Sequence, residues 1–142
     1  MSGINTGKVI TGGLLAGLVY NVLDFLTNTF LLGTDFAANA ARLGIDANAF
    51  ASPSAIVTLV VIDFLSGILV VFVYAAIRPR FGAGPKTAAI AGLIIYLNVA
   101  FVLYIVSQSG LFPMALYWKS AVVQLVSVIL GALAGGWAYK EG

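Results

Sequence analysis

The sequence predicts an all-α integral membrane protein, a four-helix bundle with both termini in the cytoplasm, and three observations carry that prediction. Of 142 residues, 61% are hydrophobic and only 8% are charged, whereas soluble domains average about 25% charged residues. Such a chain cannot cover a surface that faces water. Four apolar stretches are each long enough to cross a hydrocarbon core about 30 Å thick, which takes roughly 20 residues of helix. The basic residues also divide unequally between the two sides once the spans alternate.

The spans lie at about 9–32, 55–77, 88–107 and 117–139, in one transmembrane domain. The first is too long for the apolar part of a cleaved signal and contains Asp24, so it reads as a retained span. The fourth carries its own ruler: Tyr117 and Trp118 stand at one end, Trp137 and Tyr139 at the other. About 19 residues at 1.5 Å each give about 29 Å, the separation of two interfacial aromatic belts. Lys8, Arg78, Arg80, Lys86 and Lys140 fall on one side, and only Arg42 and Lys119 on the other. The more basic side is cytoplasmic.

Two connections matter. In the outer loop 33–54, Thr34 or Asp35 could cap a short helix carrying Phe36, Ala40 and Leu43 and ending at Gly44. It would lie on the membrane surface or cap the bundle; the residues suit both. Ser52-Pro53 reads as N-cap and first turn of the second span. The inner loop R78-P-R-F-G-A-G-P-K86 reads as short, rigid and cationic. Pro85 stands where a phosphate-binding loop needs the glycine before its lysine. Contact of Arg78, Arg80 and Lys86 with anionic lipid accounts for it better.

The chain has no cysteine and no histidine. That removes disulfides, thiolate nucleophiles, ordinary zinc sites, His-ligated haem and an imidazole base. No enzymatic chemistry, cofactor or metal is expected. Nucleic acid is not an expected partner either, because no basic face exists.

What remains is a set of polar residues inside apolar runs. V22-L-D-F-L26 and V61-I-D-F-L65 each bury an aspartate among aliphatics. At helical spacing, Gly13, Gly17, Tyr20, Asn21 and Asn28 share the face of Asp24, while Ser66 and Gly67 share that of Asp63. Counted from the span centres, both aspartates lie about 5 Å to the outer side. Gln124 falls at a similar level and Asn98 nearer the middle. A polar layer of Asp24, Asp63, Asn21, Asn28, Asn98 and Gln124 is therefore expected.

An ionised aspartate at mid-membrane costs about 2.5–3.5 kcal/mol even on the lenient insertion scale, and no span carries a lysine or arginine near these two. Three readings follow. The layer could fix helix packing through hydrogen bonds, it could hold a proton or cation on a transport path, or a partner could supply the missing counter-charge. An aspartic protease is excluded, since neither D-F-L site has the motif of a membrane aspartyl dyad. Separately, Gly131 and Gly135 form G-x-x-x-G in the fourth span, offset by one from Ala132 and Gly136, a face for close helix packing.

The stretches from Gly12 to Phe25 and from Val73 to Thr87, with the terminal G136-W-A-Y-K140, resemble a group of small, uncharacterised bacterial four-span proteins. The resemblance implies a bacterial inner-membrane four-helix protein and implies no activity. The functional expectation is an accessory or self-associating subunit, a homo-oligomer or part of a larger membrane complex, surrounded by lipid. The alternatives are a proton- or cation-coupled transporter using Asp24 and Asp63, and a binder of lipid or a small apolar ligand.

Overall fold

The computed structural model describes residues 3–140, and these form helices joined by short turns with no strand among them. Helix α1 runs Thr6–Leu26 and passes into a π-helical turn, Thr27–Leu31; α2 is Gly33–Arg42; a 3₁₀ turn spans Ala47–Ala51. Helices α3 (Pro53–Phe81), α4 (Pro85–Gln108) and α5 (Met114–Ala138) follow. Four of the five helices are long and apolar enough to cross a membrane: α1 with its π turn, α3, α4 and α5.

The helix ends have local causes. Asn5 caps α1 by accepting from the Lys8 amide (3.1 Å), and Ser52 caps α3 by accepting from that of Ala55 (3.3 Å), with Pro53 in the first turn. The π turn begins where Thr27 and Asn28 bond back to the carbonyls of Leu23 and Asp24, each at 2.8 Å. Side chains that compete for the carbonyls four residues back disturb the helical ladder there.

Helix α2 departs from expectation at its start and agrees at its end. It begins at Gly33, ahead of Thr34 and Asp35, and no side chain caps it. Its exit uses Gly44 at φ +70°, with the Ile45 amide donating to Ala40 and that of Gly44 to Ala41. These two bonds satisfy the last carbonyls in the manner of a glycine-terminated helix. The cationic loop also shrinks: α3 continues through Pro79 to Phe81, leaving only Gly82–Gly84 outside helix. Pro79 lies two residues from the helix end, so it forfeits one hydrogen bond without breaking a long ladder.

Glycine sets how the long helices cross. A Cβ on Gly17 would lie 2.6 Å from the Phe64 Cα, and one on Gly67 would meet the backbone of Gly13 and Gly17. Helices α1 and α3 thus touch backbone to backbone. Helix α5 uses its two offset small-residue pairs against different neighbours. Gly135 accepts Gly12 and Ala16 of α1, and Gly131 accepts the ring of Tyr20; Ala132 and Gly136 face Gly92 and Ala88 of α4. The G-x-x-x-G signal is spent inside this bundle.

The contacts gather at one end. There the Asn5 amide donates to the Tyr139 hydroxyl and the Gly84 amide to that of Tyr74, each at 3.2 Å. The two tyrosine rings meet edge to face at 5.9 Å. Both ends of the described chain and the Gly82–Gly84 turn therefore share this basic end. Arg78 stacks over Tyr139, and Lys140 over Trp137, at 5.7 and 5.3 Å. Arg80 and Lys86 are exposed.

The opposite end is capped by α2. Arg42 donates to the Gly110 carbonyl at 2.7 Å and to Asn39 at 2.8 Å, while Lys119 pairs with Asp35 at 2.9 Å. Helix α2 is tied to the turn between α4 and α5.

Candidate functional site

The polar residues occupy the half of the bundle nearer this cap, where the helices separate. The buried residues of α3 are Gly67, Val70, Val71, Tyr74 and Ala75, all towards the basic end. From Ile56 to Ile62, every residue of α3 is exposed. The α4 residues packed in the basic half end at Gly92, and Leu93, Ile94, Leu97 and Asn98 are exposed beyond it. Helices α3 and α4 thus touch near their connecting turn and stand free of one another further out.

Helix register decides which polar groups meet. Gly17 lies against Phe64 and within 3.1 Å of the Asp63 carbonyl, measured from its Cβ position. One turn on, the Asn21 amide donates to the Gly17 carbonyl at 2.9 Å and to Val60 at 3.4 Å. Asp63 is therefore level with the start of the crossing, and Asp24 sits about 9 Å further towards the cap, six residues of helical rise. The two aspartates are staggered along the backbone, but on antiparallel helices their side chains lean toward each other, and the carboxyls lie in one another's electrostatic field. Counting from span centres treats the helices as aligned rods, and the glycine crossing shifts them.

The other members sort themselves by the same reasoning. Gly135 between Gly12 and Ala16 brings Gln124 to the level of Asp24, and Ala88 opposite Gly136 brings Ala100 opposite Gln124. Asn98 lies within a turn of that level but is exposed on α4, as is Asn28 on α1. Asn28 spends its amide on its own helix. Tyr20 stands between the two aspartates, its ring on Gly131 and its hydroxyl 3.4 Å from the Val128 carbonyl. It lies in the electrostatic field of both carboxylates. Sequence spacing put Tyr20 on the Asp24 face; its fit to Gly131 had no sequence signal.

The carboxylates themselves have no partner. Among the described residues, neither Asp24 nor Asp63 makes a side-chain hydrogen bond or ion pair, and Asn98 and Gln124 make none either. Both aspartates are half-buried. No three carboxylate, imidazole or thiolate groups come together among these residues, so a cation here would draw its remaining ligands from carbonyl or amide oxygens. Of the expected polar layer, only Asn21 makes a hydrogen bond to another helix among the described residues. Small-residue contact, not the polar set, holds the protomer together.

No family model matches the sequence, and neither a curated protein nor a solved structure similar to it was found.

Proposed function

We propose that the protein is a non-enzymatic membrane subunit that is completed by association, with the polar cap-side half of α3 and α4 covered by a second copy or by another membrane protein. One observation carries this reading: Asp24, Asp63 and Asn98 lie half-buried or exposed along the spans, and their side chains make no hydrogen bond or ion pair among the described residues. In hydrocarbon an unsatisfied polar group costs several kcal/mol, and interhelical hydrogen bonds to a partner recover about 0.6 kcal/mol each on average. The termini and the Gly82–Gly84 turn face the cytoplasm of a bacterium in this reading. Arg78, Arg80 and Lys86 then meet anionic headgroups of the inner membrane.

The chain is free of cysteine, which suits single-cysteine cross-linking. Leu59 is one turn from Asp63 and exposed; Val122 on α5 is equally exposed on another face. Leu59→Cys should form a disulfide between copies in lipid nanodiscs, and Val122→Cys should not. A partner that co-purifies and blocks Leu59→Cys labelling would assign the face to a heteromer. A protein that stays monomeric at every lipid ratio, co-purifies with nothing and leaves Leu59→Cys freely labelled would end the proposal.

A second reading rests on Tyr20 standing between two unpartnered carboxylates. A proton or cation current in reconstituted vesicles, lost in Asp63→Asn, would move these groups from assembly to transport.

A further inference from the structure

A cleft opens between α4 and α5, away from the α1–α3 crossing that carries both aspartates. Its volume is about 300 Å³, at the lower end for ligand sites. Phe36 and Phe112 form its rim, their ring centroids 6.4 Å apart, and Tyr96 and Tyr117 line its walls with Ser120 and Gln124.

The tyrosines have no hydroxyl hydrogen to spare. The Tyr96 hydroxyl donates to the Ala121 carbonyl at 3.0 Å and that of Tyr117 to Ala100 at 3.2 Å. These bonds cross between α4 and α5 and hold the rings in place, so the cleft receives their apolar surfaces. Two polar groups are left. The Ser120 hydroxyl is buried without a partner, and the Gln124 amide makes no hydrogen bond among the described residues. They are four residues apart and so share one face of α5.

Depth selects the class of ligand. Tyr117 and Trp118 mark the aromatic belt, and Gln124 is about 10 Å below Tyr117 at 1.5 Å per residue. The headgroup and interfacial zone is only about 5–7 Å thick on each side. A phospholipid keeps its polar atoms in that zone, so none would reach Gln124. The cleft contains no charged side chain, so a charged head would be desolvated without compensation. A neutral molecule with acceptor oxygens is stable there, and a flat ring gains from the aromatic walls.

We propose that this cleft binds a neutral, lipid-soluble ring compound bearing carbonyl groups, the chemistry of a quinone. Gln124 donates to one carbonyl oxygen, and Ser120, after rotation about χ1, to the same or the second. The ring lies among Phe112, Tyr117 and Tyr96, and an apolar tail leaves sideways past Val99, which is exposed at the mouth. The mouth borders the proposed association face, Val99 following Asn98 on α4, so loss of saturation in Val99→Phe counts for the cleft only where Leu59→Cys cross-linking is unchanged.

Two tryptophans make the test direct. Trp118 packs against Tyr117 at 5.0 Å, and Trp137 lies at the far end of α5. In a Trp137→Phe background, a short-tailed benzoquinone titrated into nanodiscs should quench Trp118 saturably. Gln124→Met should weaken binding about two- to tenfold, the worth of one hydrogen bond. Val99→Phe, which fills the mouth without touching the helix crossings, should abolish saturation. Circular dichroism confirms that each variant is folded. Linear, unsaturated quenching would mean partition into the bilayer and would overturn the proposal. So would saturation indifferent to both variants. Displacement by a fatty acid at equal affinity would assign the cleft to acyl chains and overturn the ring class.

Discussion

The two halves of this bundle are made from the same four helices and follow opposite rules. In the basic half, glycine and alanine let backbones touch, two tyrosines fill the remaining space, and exposed polar groups are confined to the helix ends. In the half nearer α2, α3 stands apart from α4, Ile56–Ile62 is exposed, and Asp24, Asp63, Asn98 and Gln124 make no side-chain hydrogen bond among the described residues. Lipid offers no hydrophobic drive for helices to associate. Between α1 and α3, close packing therefore follows the small residues and ends where they end, while α4 and α5 stay joined through Tyr96 and Tyr117. On the proposed reading, the second half is the one that association completes.

The largest effect should come from closing the glycine contact. Gly67→Ala places a methyl against the backbone of Gly13 and Gly17, where no side chain can rotate aside. We expect a loss of about 3 kcal/mol or failure to fold, the upper range for overpacking, read from unfolding in mixed micelles. Gly131→Ala should cost less, because its obstacle is the Tyr20 ring. An equal enlargement in the bare segment, Leu59→Phe, should change stability by no more than about 0.5 kcal/mol. Tolerance of Gly67→Ala would erase the difference between the halves.

Much of the first half was legible in the residues. Composition and span length gave the four helices, Ser52-Pro53 and Gly44 gave two helix ends, and G-x-x-x-G gave the small face of α5. What spacing cannot give is which neighbour a face meets. Gly131 and Ala132 are adjacent in sequence yet serve α1 and α4. The backbone stagger of Asp24 and Asp63 is invisible for the same reason, since helix offset is a property of the crossing and not of either segment of sequence. Pro79 was read as a loop residue because proline is costly inside helices, and that cost is small two residues from an end. Ser120 and Gln124 carried a weak signal, two polar residues one turn apart, that becomes meaningful only beside the tyrosines of α4 and α5.

A middle-sized effect of opposite sign is expected from the polar half. Asp24→Leu with Asp63→Leu removes two carboxylates that bond to nothing in the protomer. Each costs about 2.5–3.5 kcal/mol when ionised at the helix centre on the insertion scale, and a protonated carboxyl costs less. The monomer should gain about 1 kcal/mol in mixed-micelle unfolding while cross-linking at Leu59→Cys disappears. A variant that unfolds more readily instead would show that these groups hold the protomer together, and the contrast between the halves would fail from its other side.

The smallest effect belongs to the cap. The Lys119–Asp35 pair is exposed, with side chains 57% and 37% accessible, and exposed pairs are worth about 0.2–1 kcal/mol. Lys119→Met should leave global unfolding within about 0.5 kcal/mol, because Arg42 still ties α2 to the Gly110 and Leu111 carbonyls. Hydrogen exchange should quicken in Gly33–Arg42 and nowhere in α1, α3 or α5, since local opening of α2 breaks none of the glycine crossings. If exchange also quickened at Gly12–Gly17, the cap would be clamping the long helices together. The open half would then owe its shape to α2 rather than to the end of the small-residue seam.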